Sequence, residues 1–216
     1  MDFEKDPTMH LQNLFFYGDV IPLGFQPLEQ NLPQLLKEFD KDWVQYNSNK
    51  PDIRRKGLSI TSLDGGMTGI PDLDSVREYN LKHGKTLRES DFNIRTPVAQ
   101  VSKNLKLVLD GLDPIGRTHL IKLDSGGFFP PHRDGGTKMP AASFRIFATV
   151  QHANENEFVW LQEDRQLLFE PQRFYVVNTF KKHSVFSFVN SCTFLVVNVP
   201  ATKQNIQFML ENMSVK

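Results

Sequence analysis

A histidine and an aspartate two positions apart, His132 and Asp134 in "GGFFPPHRDGG", and a second histidine in "VVNTFKKHSVFSFVN", His183, are the residues of this chain best suited to hold a metal ion. Near pH 7 an imidazole offers a neutral nitrogen and an aspartate an ionised oxygen, the protonation states a metal needs. Two imidazoles and one carboxylate on one face of an octahedron suit Fe(II) and leave three positions for a co-substrate and O₂. The His-x-Asp pair alone says little, since 6 histidines and 25 acids in 216 residues produce about one such pair by chance. The third residue carries the weight. His183 follows two lysines at the start of an apolar run, a strand end of the kind where site residues collect.

Those three residues need a scaffold that brings residue 132 beside residue 183. After Gly116 the sequence breaks into short β-rich runs about ten residues apart: "RTHLIKL", "SFRIFATVQ", "EFVWLQE", "RQLLFE", "QRFYVVNT", "HSVFSFVN" and "CTFLVVNVP". That spacing predicts a β-sandwich or barrel, in which strands far apart in sequence meet at one mouth. The first 115 residues read as mixed. Leu28, Leu32, Leu35, Leu36, Phe39 and Trp43 fall at helical spacing, "GLSITSLDGG" reads as a strand, and residues 71–84 and 97–113 each fit a helix. Residues 201–216 fit a terminal helix. The expectation is one domain over 1–216 of α+β class: a mixed α/β layer over 1–115, a jelly-roll core over 116–200 and a C-terminal segment over 201–216. The helices, with the apolar face of 28–43 foremost, cover one face of the sheet.

The quoted motifs resemble the double-stranded β-helix oxygenases that use Fe(II) and 2-oxoglutarate, which carry a His-x-Asp…His triad. Their texture is closest to the aspartyl/asparaginyl β-hydroxylase-like proteins. "HLIKLDSGGFFPPHRDGG" is similar to that group's strand, glycine turn and first ligand. "FYVVNTFKKHSVFSFVN" is similar to its segment around the distal histidine, and "SFRIFATVQ" to the strand between. The likeness covers roughly residues 116–199, with "LSITSLDGG" as a weaker echo before it. It implies a double-stranded β-helix (jelly roll) core under an α-helical N-terminal layer. It also implies metal ligation by His132, Asp134 and His183, Fe(II) as cofactor, 2-oxoglutarate as co-substrate, and hydroxylation of a small-molecule or peptide substrate, such as an amino acid free or in a peptide.

One position departs from the pattern. Many such enzymes hold the distal carboxylate of 2-oxoglutarate with an arginine about ten residues after the distal histidine, where this chain has Thr193, and no Arg or Lys occurs between His183 and Lys203. Arg145 is the first replacement: if Ser143, Arg145 and Phe147 alternate inward, its guanidinium meets an anion inside the barrel. In the β-hydroxylase-like group an arginine there can instead contact the substrate's acid. Lys122 and His119 on the preceding strand are further candidates for the co-substrate.

Composition removes other classes. Lys and Arg together equal Asp and Glu at 25 each, so no basic field favours nucleic acid or an anionic membrane. No run of eighteen apolar residues occurs and the N-terminus is acidic at once, which predicts a soluble, cytoplasmic chain. A single Cys192 leaves no internal disulfide. Trp43 and Trp160 read as packing residues and His119 and His152 chiefly as polar strand or loop residues, while oligomeric state is not written in the sequence. The rival of a different class is a cupin-like module that binds a metal or small acid and oxidises nothing; a metal-free β-sandwich is a third.

Overall fold

The computed structural model describes residues 7–134 and 143–214. The N-terminal part runs α1 (Pro7–Phe15), β1 (Val20–Pro22), α2 (Leu32–Leu35), β2 (Val44–Gln45), β3 (Arg55–Ser59), β4 (Thr61–Ser62), α3 (Val76–His83), β5 (Ile94–Arg95) and α4 (Lys103–Asp110). Eight strands follow: β6 (Thr118–Leu123), β7 (Phe128–His132), β8 (Ser143–Gln151), β9 (Phe158–Gln162), β10 (Arg165–Leu167), β11 (Phe174–Val177), β12 (His183–Ser187) and β13 (Cys192–Pro200). Helix α5 (Lys203–Glu211) comes last.

The eight strands divide into two antiparallel sheets. One has the order β1-β11-β8-β13-β6-β3-β2, the other β10-β9-β12-β7. Apart from the β9-β10 hairpin, consecutive strands thus alternate between the sheets, and β13 returns to lie between β6 and β8, which is the double winding of a jelly roll. The larger sheet is widened at one edge by β3 and β2 and at the other by β1, so the N-terminal part supplies strands as well as helices. The N-terminal layer covers its outer face: Leu28, Leu32, Leu36 and Trp43 are buried together with Leu105, Val108 and Leu109 of α4 against the outer residues Leu120, Phe144, Ile146, Leu195 and Val197. Between the sheets lies a second core of Ile121, Leu123, Phe147, Phe158, Trp160, Tyr175, Val185 and Phe194.

Because both faces of the larger sheet are covered, its strands read as almost unbroken apolar runs. The smaller sheet has one wet face, and Leu161 there is 37% exposed. Three expected elements differ in detail. Residues 28–43 are not one helix: α2 gives way to a 3-10 segment, Leu36–Asp42, with non-helical dihedrals at Phe39, and this turns Leu35 outward while Trp43 still reaches the sheet. Residues 97–113 form a short 3-10 turn and then α4, because the Ser102 side chain caps the helix by accepting from the Leu105 N–H at 2.9 Å. "RQLLFE" pairs only over Arg165–Leu167, with Leu168 exposed. Strand β7, which carries two prolines and the first candidate ligand, was not among the expected runs; it lies at a sheet edge, where a missing N–H is tolerated.

Candidate metal centre

Strand register brings the two histidines together. His132 ends β7 and His183 begins β12, and the two are direct partners across the antiparallel ladder, with ring centroids 4.3 Å apart. Opposed residues share a face at such a distance, so no long-range coincidence is needed beyond the pairing itself. Asp134 lies two residues beyond the strand, tied by its backbone N–H to the Thr179 carbonyl at 2.9 Å. Its Oδ1 is 3.7 Å from His132 Nε2, and the ligand atoms of His132, Asp134 and His183 all lie within 4.8 Å of one another.

The donor set fits a metal ion. His132 Nδ1 lies 2.7 Å from the Pro130 carbonyl and His183 Nδ1 lies 3.0 Å from the Lys181 carbonyl. A carbonyl only accepts, so each neutral ring carries its proton on Nδ1 and turns the lone pair of Nε2 toward the cluster. Burial pushes the His183 imidazole below its ordinary pKa, more than its bond to the Lys181 carbonyl raises it, so the ring stays neutral. Burial alone would raise the Asp134 carboxyl; Arg145, His183 and His132 overcome that and hold it below the usual carboxylate range. Trp160 stacks on His183 with centroids 5.4 Å apart and fixes the plane of that ring.

The triad opens into a cavity of about 100 Å³ between the two sheets. Ile121, Phe129, Phe147, Trp160, Val185 and Phe194 form its apolar wall. Across three neighbouring strands of the larger sheet runs a polar row. Arg117 Nε contacts Glu89 Oε2 at 2.7 Å, Asn198 Nδ2 donates to Glu89 Oε2 at 2.5 Å, Arg145 Nη1 donates to Asn198 Oδ1 at 2.6 Å, and Arg145 Nε is 3.3 Å from Asp134 Oδ2. Burial would raise the Glu89 carboxyl, but Arg117 and Arg145 hold it below the usual range. The row therefore carries two guanidinium charges against two carboxylates.

Arg145 faces the cavity, as inward alternation of β8 required, but its guanidinium is engaged by Asp134, Asn198 and Ser143. His119 also lines the cavity; burial, with Arg117 and Arg145 nearby, keeps it neutral. Lys122 does not. Residues 119 and 121 of β6 point inward, so Lys122 points outward, where its ammonium lies 4.0 Å from the centroid of the Trp43 ring in the helical layer. This removes Lys122 from the co-substrate candidates. Thr193 is the cross-strand partner of Lys122 and its hydroxyl donates to the Ser191 carbonyl. Trp160, expected as packing, is both core and cavity wall. Glu89, Arg117, Asn198 and Tyr46 were not singled out from sequence. Arg117 stood two residues before His119 in the same alternation, and Asn198 is a lone amide in an apolar strand; Glu89 and Tyr46, from short N-terminal elements, gave no such sign. The loop "DGGTKMPAAS" lies, over 135–142, outside the described residues.

No family model matches the chain, and no curated protein matches it. Among solved structures, KdgF from Halomonas sp. aligns with a TM-score of 0.31 at 17% identity over 38% of this chain and 66% of that one. A predicted oxalate decarboxylase from Thermotoga maritima aligns at 0.31 and 14% identity, over 44% and 72%. The cupin domain of Schizosaccharomyces pombe Cnp3 aligns at 0.32 and 8% identity, over 41% and 58%. Likenesses this slight leave the strand order itself as the ground for the fold: a double-stranded β-helix of α+β class with a His-Asp-His group at its mouth. No described helix is long and apolar enough to cross a membrane.

Proposed function

We propose that the chain is an Fe(II)- and 2-oxoglutarate-dependent dioxygenase that hydroxylates a small-molecule or peptide substrate. The observation that carries this reading is the convergence of His132, Asp134 and His183 at a cavity whose own charges cancel. Arg117 and Arg145 balance Glu89 and Asp134, and His119 is neutral. A divalent ion on the triad would leave two positive charges in a half-buried space, and a dianion such as 2-oxoglutarate answers them.

The metal would supply activation of O₂, coupled to oxidative decarboxylation of the co-substrate, with one oxygen atom passing to succinate and the other to the hydroxylated product. The chain's own share is binding and exclusion. His132 and His183 present Nε2 because their Nδ1 protons are held by carbonyls. Arg145 and the Thr179 side chain hold the Asp134 carboxylate. Phe147, Trp160 and Val185 keep water from the reacting side of the cavity.

The reading is tested by incubating the purified chain with Fe(II), ascorbate, 2-oxoglutarate and O₂ and screening amino acids and peptides for stimulated succinate formation. Slow succinate release without substrate and faster release with one member of the panel are expected, and neither in His183→Ala. A chain that binds the metal but never consumes 2-oxoglutarate would instead be a cupin-like metal- or acid-binding module.

A further inference from the structure

The cavity wall also carries polar groups outside the triad with uncommitted donors. His119 is 4% exposed and its Nδ1 has no hydrogen-bond partner. The Tyr46 ring lies 5.4 Å from the His119 ring, lines the same cavity, and its hydroxyl makes no hydrogen bond among the described residues. Arg117 uses Nε on Glu89 and Nη1 on the carbonyls of Asp72 and Asp74, at 3.3 and 2.7 Å, which leaves Nη2. A buried polar group without a partner is rare, and the orphaned His119 Nδ1 beside two further uncommitted donors around one space points to a missing acceptor. Arg145, in contrast, is held by Asn198 on one side and Asp134 on the other.

We propose that Tyr46, Arg117 and His119 form an anion subsite for the distal carboxylate of a dicarboxylic 2-oxo acid, while Arg145 is a positioning residue that orients Asp134. This rests on the dioxygenase reading, and it moves the co-substrate's clamp from Arg145, where alternation alone would put it, to the far end of β6. A carboxylate has lone pairs enough for a phenol, a guanidinium nitrogen and an imidazole N–H together. Glu89 already balances the charge of Arg117, so the subsite holds its guest by directed hydrogen bonds, and the metal answers the remaining charge. Asp134 keeps Oδ1 toward His132 because Oδ2 faces Arg145.

The test compares 2-oxoglutarate with 2-oxobutyrate, which lacks the distal carboxylate, by anaerobic titration of the Fe(II)-loaded protein, following the visible charge-transfer band. The wild type should bind 2-oxoglutarate far more tightly. Tyr46→Phe keeps the ring and its contacts with His119, Phe129 and Arg55 and removes one hydroxyl. It should weaken 2-oxoglutarate binding roughly 10-fold or more and leave 2-oxobutyrate unchanged. Arg117→Lys should weaken it further; if that variant misfolds, Tyr46→Phe still decides. Arg145→Ala should alter both acids alike, because it acts through Asp134. Unchanged binding in Tyr46→Phe, or a selective loss of 2-oxoglutarate in Arg145→Ala, overturns the subsite. A wild type that binds both acids equally sinks the subsite alone, and one that binds neither sinks the dioxygenase reading with it.

Discussion

The two sheets of the jelly roll are made of similar short strands and do different work. In the larger sheet nearly every residue of β8, β11 and β13 is buried, since helices cover its outer face and the other sheet its inner one. In the smaller sheet β7 and β10 hold no fully buried residue, yet β7 and β12 carry both histidines. Stability is concentrated where both faces are dry, and reactive side chains stand where a strand ends at an open mouth. The polar row of Arg117, Asn198 and Arg145 is the exception: it is charge set into the dry sheet, tolerated because each group has a partner.

That contrast can be broken from either side. The largest effect belongs to the smaller sheet: His132→Ala or His183→Ala should abolish stoichiometric metal binding while the far-UV circular dichroism stays that of the wild type. Next, Phe144→Ala, which empties a fully buried site on the outer face of the larger sheet, should cost about 3–5 kcal/mol of stability by denaturant titration. It should leave the ligands in place in whatever fraction remains folded. Leu161→Ala, on the wet face of the smaller sheet, should stay within about 1 kcal/mol of the wild type. A loss at Leu161 equal to that at Phe144 would show the two sheets to be equivalent.

A subtler effect comes from pH. Burial, reinforced by Arg117 and Arg145, depresses the pKa of His119 well below that of a free histidine, near 6.5. The unfolded chain therefore takes up its proton first as the pH falls, and this contribution to metal-free stability is complete above about pH 6.5 and declines below it. His119→Leu should show a shallower decline between about pH 6.5 and 5, measured by urea midpoints at each pH.

The triad was legible in the sequence because its residues are few in type and sit in a β-rich frame whose spacing is regular. The jelly roll was legible for the same reason: short β-rich runs and turn signals recur every ten residues or so. The helical layer was legible as apolar spacing but not as geometry, since Pro33 and the dihedrals at Phe39 break 28–43 without disturbing which residues reach the sheet. The direction of Lys122 was undetermined until the inward phase of β6 was known, because a strand buried on both faces shows no polar alternation. Glu89 reaches Arg117 from a 3-10 turn 28 residues earlier, and nothing local announces such a contact.

The central claim is that His132, Asp134 and His183 act as one ligand set for one ion. Anaerobic equilibrium dialysis against Fe(II), with iron counted per chain, addresses it without any assumption about substrate. One ion per wild-type chain and almost none in Asp134→Ala or in either histidine variant is the predicted result. Stoichiometric iron retained in all three variants would contradict it.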